Sequence, residues 1–171
     1  MKSILVLCAS ALMMFSTVAC NKNTVSYKDS VQSALTQADL KEVSVSEDAD
    51  KNTITLTGTL HSEDAKQRAA QVAQGAAGNR VIANEVSVQP VGMESEAKGV
   101  ASNVDSAIEK NYKAALISSG LKKQSIDYNA KNGVLVLTGK VKTPKQRQEA
   151  EQLAANVPNV AQVVNQIEVN R

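Results

Sequence analysis

The stretch Leu56-Thr57-Gly58-Thr59-Leu60 recurs 81 positions later as Leu137-Thr138-Gly139-Lys140-Val141, and that repetition decides how the chain is built. Sliding the sequence on itself by the same step keeps Tyr27 to Val88 in register with Ile108 to Val169 without a gap. Ala34 meets Ala115, Leu35 meets Leu116, Gln67 meets Gln148, Ala73 meets Ala154 and Asn84 meets Asn165. Two long copies, rather than many short ones, imply two small domains of one kind and not a solenoid.

One copy can be read element by element. Thr53 to His61 alternates, with Ile54, Leu56, Gly58 and Leu60 on one side and Thr53, Thr55, Thr57, Thr59 and His61 on the other. This is the period of a strand with one buried and one wet face. Val43 to Ser46 forms a shorter strand before it, across a turn at Asp48 to Asn52; the second copy has Ile126 and Tyr128, then a turn over Asn129 to Gly133. Ser62 with Glu63 and Asp64, and Thr143 with Pro144, are helix starts: a hydroxyl cap followed by acids or by proline. The helix buries Ala65, Ala69, Val72, Ala73 and Ala76, or Ala150, Leu153, Ala154 and Val157, and stops near Gly78 or Pro158-Asn159. A last strand turns Ile82, Val86 and Val88, or Val163, Ile167 and Val169, inward. An opening helix carries Val31, Ala34, Leu35 and Ala38, or Ile108, Tyr112, Ala115, Leu116 and Ser119. The expected class is α+β: two αββαβ units, each a three-stranded mixed sheet with two helices on one face. Glycine within a strand marks a bulge or a close approach, and the expectation at Gly58 and Gly139 is a helix crossing closely overhead.

The two copies differ in charge. The whole chain carries a formal +2, but residues 21 to 101 hold 8 bases against 11 acids and residues 102 to 171 hold 10 against 6. The second copy is the one suited to an anionic partner. On its wet face Val134, Val136 and Val164 replace Thr53, Thr55 and Ala83, and Lys140 and Lys142 replace Thr59 and His61. Apolar ground rimmed by lysine suits a phospholipid surface, because lysine stems lie on it while their ammoniums reach phosphates. Lys110, Lys113, Lys122, Lys123, Lys145 and Arg147 extend the basic character and complete the candidate phospholipid-binding set. The alternative is that the valines are covered by the first copy, or by an added helical turn at Asn103, Val104 and Ala107; the lysines alone would then carry a weak, salt-sensitive attraction.

The front of the chain reads as an export signal over residues 1–19: Lys2, then an apolar run from Ile4 to Val18 too short to span a bilayer comfortably. Phe15 to Cys20 resembles a bacterial lipobox, with Thr17 where leucine is usual. That resemblance implies acylation of Cys20, the only cysteine left after cleavage, and Asn21 after it implies delivery to the outer membrane. Each buried acyl methylene contributes about 0.8 kcal/mol, so several chains hold firmly. Residues 20–26 are then a tether, 27–89 and 102–171 the two domains, and 90–101 the linker.

Chemistry finds little material. His61, the single histidine, has Lys142 as its counterpart in the other copy, which argues against a shared base or ligand, and no Cys/His group has metal-ligand spacing. Glu47, Asp48 and Asp50 share a turn but lack the pattern of a calcium loop. No catalytic residue, cofactor or metal is expected. Nucleic acid is disfavoured, since after the signal no Trp or Phe remains and the three tyrosines form no stacking platform.

The strand ending in L-T-G-x-V/L, the capped helix rich in Ala and Gln, and the closing runs Ile82-Ala83-Asn84-Glu85-Val86-Ser87-Val88 and Val163-Val164-Asn165-Gln166-Ile167-Glu168-Val169 resemble the BON domain. Behind a lipobox the pair is similar to dual-BON envelope lipoproteins; without the lipid it is similar to osmotically induced periplasmic BON proteins. The resemblance implies phospholipid binding or attachment of proteins at membranes, in a non-catalytic envelope protein on the periplasmic face of the outer membrane or free in the periplasm. The competing reading is a periplasmic chaperone or scaffold that binds envelope proteins under stress.

Overall fold

The computed structural model describes residues 26–121 and 124–170. In the first unit, helix α1 (Lys28–Gln37) buries Val31 and Leu35. Strands β1 (Val43–Asp48) and β2 (Thr53–Leu60) pair antiparallel, Val43 opposite Gly58 and Asp48 opposite Thr53. Helix α2 (Glu63–Ala76) starts where the Ser62 hydroxyl accepts a bond from the Ala65 amide. Strands β3 (Val81–Asn84) and β4 (Ser87–Val88) both run parallel to β2.

The expected third strand is therefore present but broken, which makes four hydrogen-bonded segments of three. Its register does not slip: Thr53 faces Val81 and Thr59 faces Ser87, an equal offset. The gap lies opposite Thr57 and Gly58, and Gly58 has a φ of +132° that turns its peptide away from ladder geometry. A Cβ on Gly58 would collide with the backbone carbonyl of Glu42; Gly139, φ +101°, would meet that of Ser125. This corrects the sequence expectation. The close neighbour is the approach to the adjoining strand, not an overlying helix, so glycine is required by backbone against backbone.

The second unit repeats the plan with α3 (Glu94–Ser118), β5 (Ser125–Lys131), β6 (Val134–Val141), α4 (Pro144–Ala155), β7 (Gln162–Asn165) and β8 (Glu168–Val169). Its hairpin is tighter than expected. Asn129 to Lys131 stay in β5, and only Asn132 (φ 50°) and Gly133 (φ 82°) form the loop, the pair of left-handed residues that a type I′ turn demands. Thr143 accepts from the Gln146 amide while the Gln146 side chain returns to the Thr143 amide, a closed capping box with Pro144 inside it.

Helix α3 is the main departure from the repeat. It begins at Glu94, so most of the segment 90–101 read as a linker is helical, and only residues 89–93 connect the units without regular structure. Val104, Ile108, Tyr112 and Leu116, one face of this helix, enter the second core with Leu135, Leu137, Ala150 and Ala154. The first core gathers Val31, Leu35, Val43, Ile54, Leu56, Ala69, Ala73 and Val86. In each unit both helices cover one face of the sheet, as alternation required.

Candidate functional site

The other faces of the two sheets are covered in part, over β3, β7 and the starts of β2 and β6. Val134 is 2 % exposed, Val164 1 % and Ala83 1 %, and these three form a small apolar cluster with the half-buried Val136 packed against it. Of the two sequence readings, the structure has the covered one: Val134 and Val136 do not form an exposed patch. Thr53 is buried at 2 % as well, so the threonine face expected to be wet is partly closed.

The contact joins counterpart positions. Ala83 and Val164 correspond in the repeat, as do Thr53 and Val134, and as do Glu85 and Gln166. Gln166 donates Nε2 to the Thr53 hydroxyl at 2.9 Å, reaching the start of β2. Glu85 reaches the corresponding end of the other hairpin: its carbonyl accepts from Asn132 Nδ2 at 2.8 Å and its carboxylate lies 3.2 Å from Lys131 Nζ. Such reciprocity is the mark of a two-fold pairing within one chain. Gln162 fixes the strand edges, accepting from the Asn84 amide at 3.2 Å and donating to the Ile82 carbonyl. Lys66 Nζ donates to the Asn132 carbonyl at 3.0 Å. Burial lowers the proton affinity of this ammonium below the usual lysine value, with Glu63 and Asp105 opposing the shift. Sequence reasoning missed these polar fasteners, although the exchange of Val81 for Gln162 and Glu85 for Gln166 between copies was a visible signal.

The bases divide into three groups. Lys110 and Lys113 are exposed on α3, while Lys145 and Arg147 are exposed on the first turn of α4, where Arg147 donates to the Asn165 carbonyl at 3.2 Å. Lys140 and Lys142 line an open hollow of about 290 Å³ with Ser125, Asp127 and Gln124, and Lys140 pairs with Glu168 at 3.3 Å. Lys113 lines a neighbouring hollow of about 150 Å³ that shares Gln124. Lys122, Lys123 and Cys20 lie outside the described residues. The structure thus brings Lys140 and Lys142 together at one end of the second sheet and leaves Lys113 on the side of β5 that α3 covers.

The acidic turn separates its carboxylates. Glu47 turns inward, 3.0 Å from Arg80 Nε, and accepts from Ser26 Oγ at 2.8 Å and from the amides of Tyr27 and Lys28 at 3.0 and 3.2 Å. Asp48 instead binds the Lys51 amide. Among the described residues no group of three or more His, Cys, Asp or Glu side chains could hold a metal, and no helix is long and apolar enough to cross a membrane. His61 is exposed, its Nδ1 2.9 Å from the Gln89 carbonyl.

Comparison with known proteins agrees with the repeat. The chain is 28 % identical over 139 residues to osmotically-inducible protein Y of Escherichia coli, covering 80 % of this chain and 68 % of that protein. Among solved structures it is similar to the C-terminal domain of CdsD, a structural protein of the type III secretion system of Chlamydia trachomatis. That likeness has a TM-score of 0.35 and 11 % identity, over 86 % of this chain and 98 % of that one. The BON-domain family pattern matches twice, over residues 25–90 and 104–171. With both units matched and together spanning most of its length, the chain belongs to the BON-domain family as a tandem pair.

Proposed function

We propose that this protein is a non-catalytic component of the bacterial cell envelope that engages anionic phospholipid through its second unit and supports envelope integrity under osmotic stress. Family membership and the similarity to an osmotically inducible protein support the envelope or osmotic-stress role. The carrying observation for lipid is the exposure of Lys140 and Lys142 together at one end of the second sheet, on the half of the chain with net positive charge. With the valines covered, the attraction is electrostatic. Each base near an anionic surface contributes about 1 kcal/mol, and screening removes it within a Debye length of about 8 Å at physiological salt. An acyl anchor on Cys20 at the periplasmic face of the outer membrane would hold these bases near headgroups and raise their effective concentration.

Co-sedimentation of the mature chain, with Cys20→Ser, tests this against vesicles of neutral and of anionic phospholipid. The expected result is binding to anionic vesicles alone, lost at high salt and in the Lys140→Glu, Lys142→Glu double variant. Absence of binding to anionic vesicles at low salt would sink the proposal. A second reading, a scaffold or chaperone for envelope proteins, is favoured by Val91, Met93 and Val100, which stand 78, 57 and 62 % exposed around the start of α3. Salt-insensitive suppression of client aggregation would select it.

A further inference from the structure

Between the units, the first occupies the place on the second that a membrane would. Its sheet lays Ala83 on Val134 and Val164, and its Glu85 carboxylate sits on Lys131. An acidic unit thereby covers the apolar face of a basic one, with the same two components, apolar cover and negative charge, that an anionic bilayer presents.

From this we infer that the interdomain contact is an autoinhibitory gate: the first unit competes with the anionic lipid surface for the outer face of the second sheet. This rests on the lipid-binding reading above and assigns its regulation. The contact is built to part. Its apolar centre holds three small or β-branched side chains with Val136 at its margin, far less than either core. Its fasteners are side chains on the rim, Gln162, Gln166, Asn132, Lys66 and Lys131, each able to exchange its partner for water. Both cores lie on the opposite faces of their sheets, so separation leaves each unit intact. Opening uncovers Val134, Val136 and Val164 and releases Lys131 from Glu85, extending the basic rim towards the hairpin. In the closed form the protein binds through lysines alone; in the open form valines add a salt-insensitive share. Residues 89–93, the non-helical connection, supply the hinge.

The test alters only the first unit, so that the lipid-binding unit keeps its sequence. Ala83→Glu and, separately, Thr53→Glu each place a carboxylate in the closed contact, where its burial is unfavourable. In the Cys20→Ser chain, hydrogen exchange at the Asn84 amide, which donates to Gln162 across the contact, reads the opening, and co-sedimentation with phosphatidylglycerol vesicles reads the binding. The expected result is faster exchange at Asn84 and binding to these vesicles about tenfold tighter than wild type, part of it persisting at high salt. The added negative charge alone would weaken binding, so a gain has no simple electrostatic origin. Unchanged or weaker binding with exchange accelerated overturns the gate while leaving the lysine-based reading standing if wild type binds. Exchange that stays slow in both variants also overturns it, since a contact that retains a buried carboxylate is not one poised to part. No binding by wild type with binding by the variants supports the gate and overturns the lysine-only description. No binding by any form overturns both.

Discussion

Residues 47 and 128 are counterparts in the two units, yet one is a glutamate and the other a tyrosine. In the first unit a helix begins beside this position, and its free amides at Tyr27 and Lys28 attract the Glu47 carboxylate, which Arg80 then neutralises at 3.0 Å while lying 5.7 Å from the centre of the Tyr27 ring. In the second unit α3 has already run for several turns when it passes this place, so no amide is orphaned. Tyr128 stacks edge-on against Tyr112 with ring centres 5.1 Å apart, and the Tyr112 hydroxyl donates to the Ala150 carbonyl at 3.2 Å. The extra length of one helix changed what chemistry its neighbour strand can use. Where a helix starts, charge closes the corner; where it continues, an aromatic pair does.

This comparison can be broken most directly at Arg80. Arg80→Ala leaves the Glu47 carboxylate buried without its counter-ion and is expected to cost about 3–5 kcal/mol, read as the change in unfolding free energy in urea. Burial of Glu47 raises its proton affinity, but the bonds from Ser26, Lys28 and Tyr27 and the charge of Arg80 outweigh it, so the carboxyl titrates below its ordinary value of 4.5. The stability tied to this depression is present above pH 4.5 and is lost as pH falls through the folded value. Glu47→Gln is expected to flatten the acid limb of the stability profile. A loss at Arg80→Ala below about 1 kcal/mol would mean the pair is ornamental and the two corners are equivalent.

The glycines sharpen the comparison from the other side, because there the units agree. Gly58→Ala and Gly139→Ala each force a side chain into a left-handed backbone and against a neighbouring carbonyl, with strain of about 1–3 kcal/mol in each. Matching losses by thermal unfolding are expected; tolerance of alanine in one unit alone would show that the shared glycine conformation is needed in only one. The smallest effect is expected at Tyr112→Phe, which keeps the ring pair and removes the bond to Ala150, a loss of about 1 kcal/mol by the same measurement. A larger loss would mean that the hydroxyl, not the ring, closes the second corner.

The helix caps at Ser62 and Thr143, the alternating strands and the antiparallel hairpins were legible because each is a local arrangement with a short-range signal. The broken third strand was not, since alternation continues through Glu85-Val86 and only the φ of Gly58, across the ladder, explains the gap. The start of α3 at Glu94 escaped for a related reason: Glu94 to Gly99 carry no buried stripe, and the helix is held by Val104 and Ile108 further on. At the candidate site the bases were legible as composition, but which of them meet was not. Lys140 and Lys142 share a hollow with Ser125 and Asp127, whereas Lys113 lies across β5 from them, among Leu116, Ile126 and Tyr128.

Local pattern sufficed to show two copies of one αββαβ unit, most of the residues that line each core, and the gathering of positive charge in the second copy. Periodicity and capping are properties of neighbouring residues, and they survive any arrangement of the units. That Val134 and Val164 are covered by Ala83, and not by water or lipid, is settled by how the two units pack. Alternation tells which face of a sheet a side chain stands on; what lies across that face depends on contacts between residues dozens of positions apart.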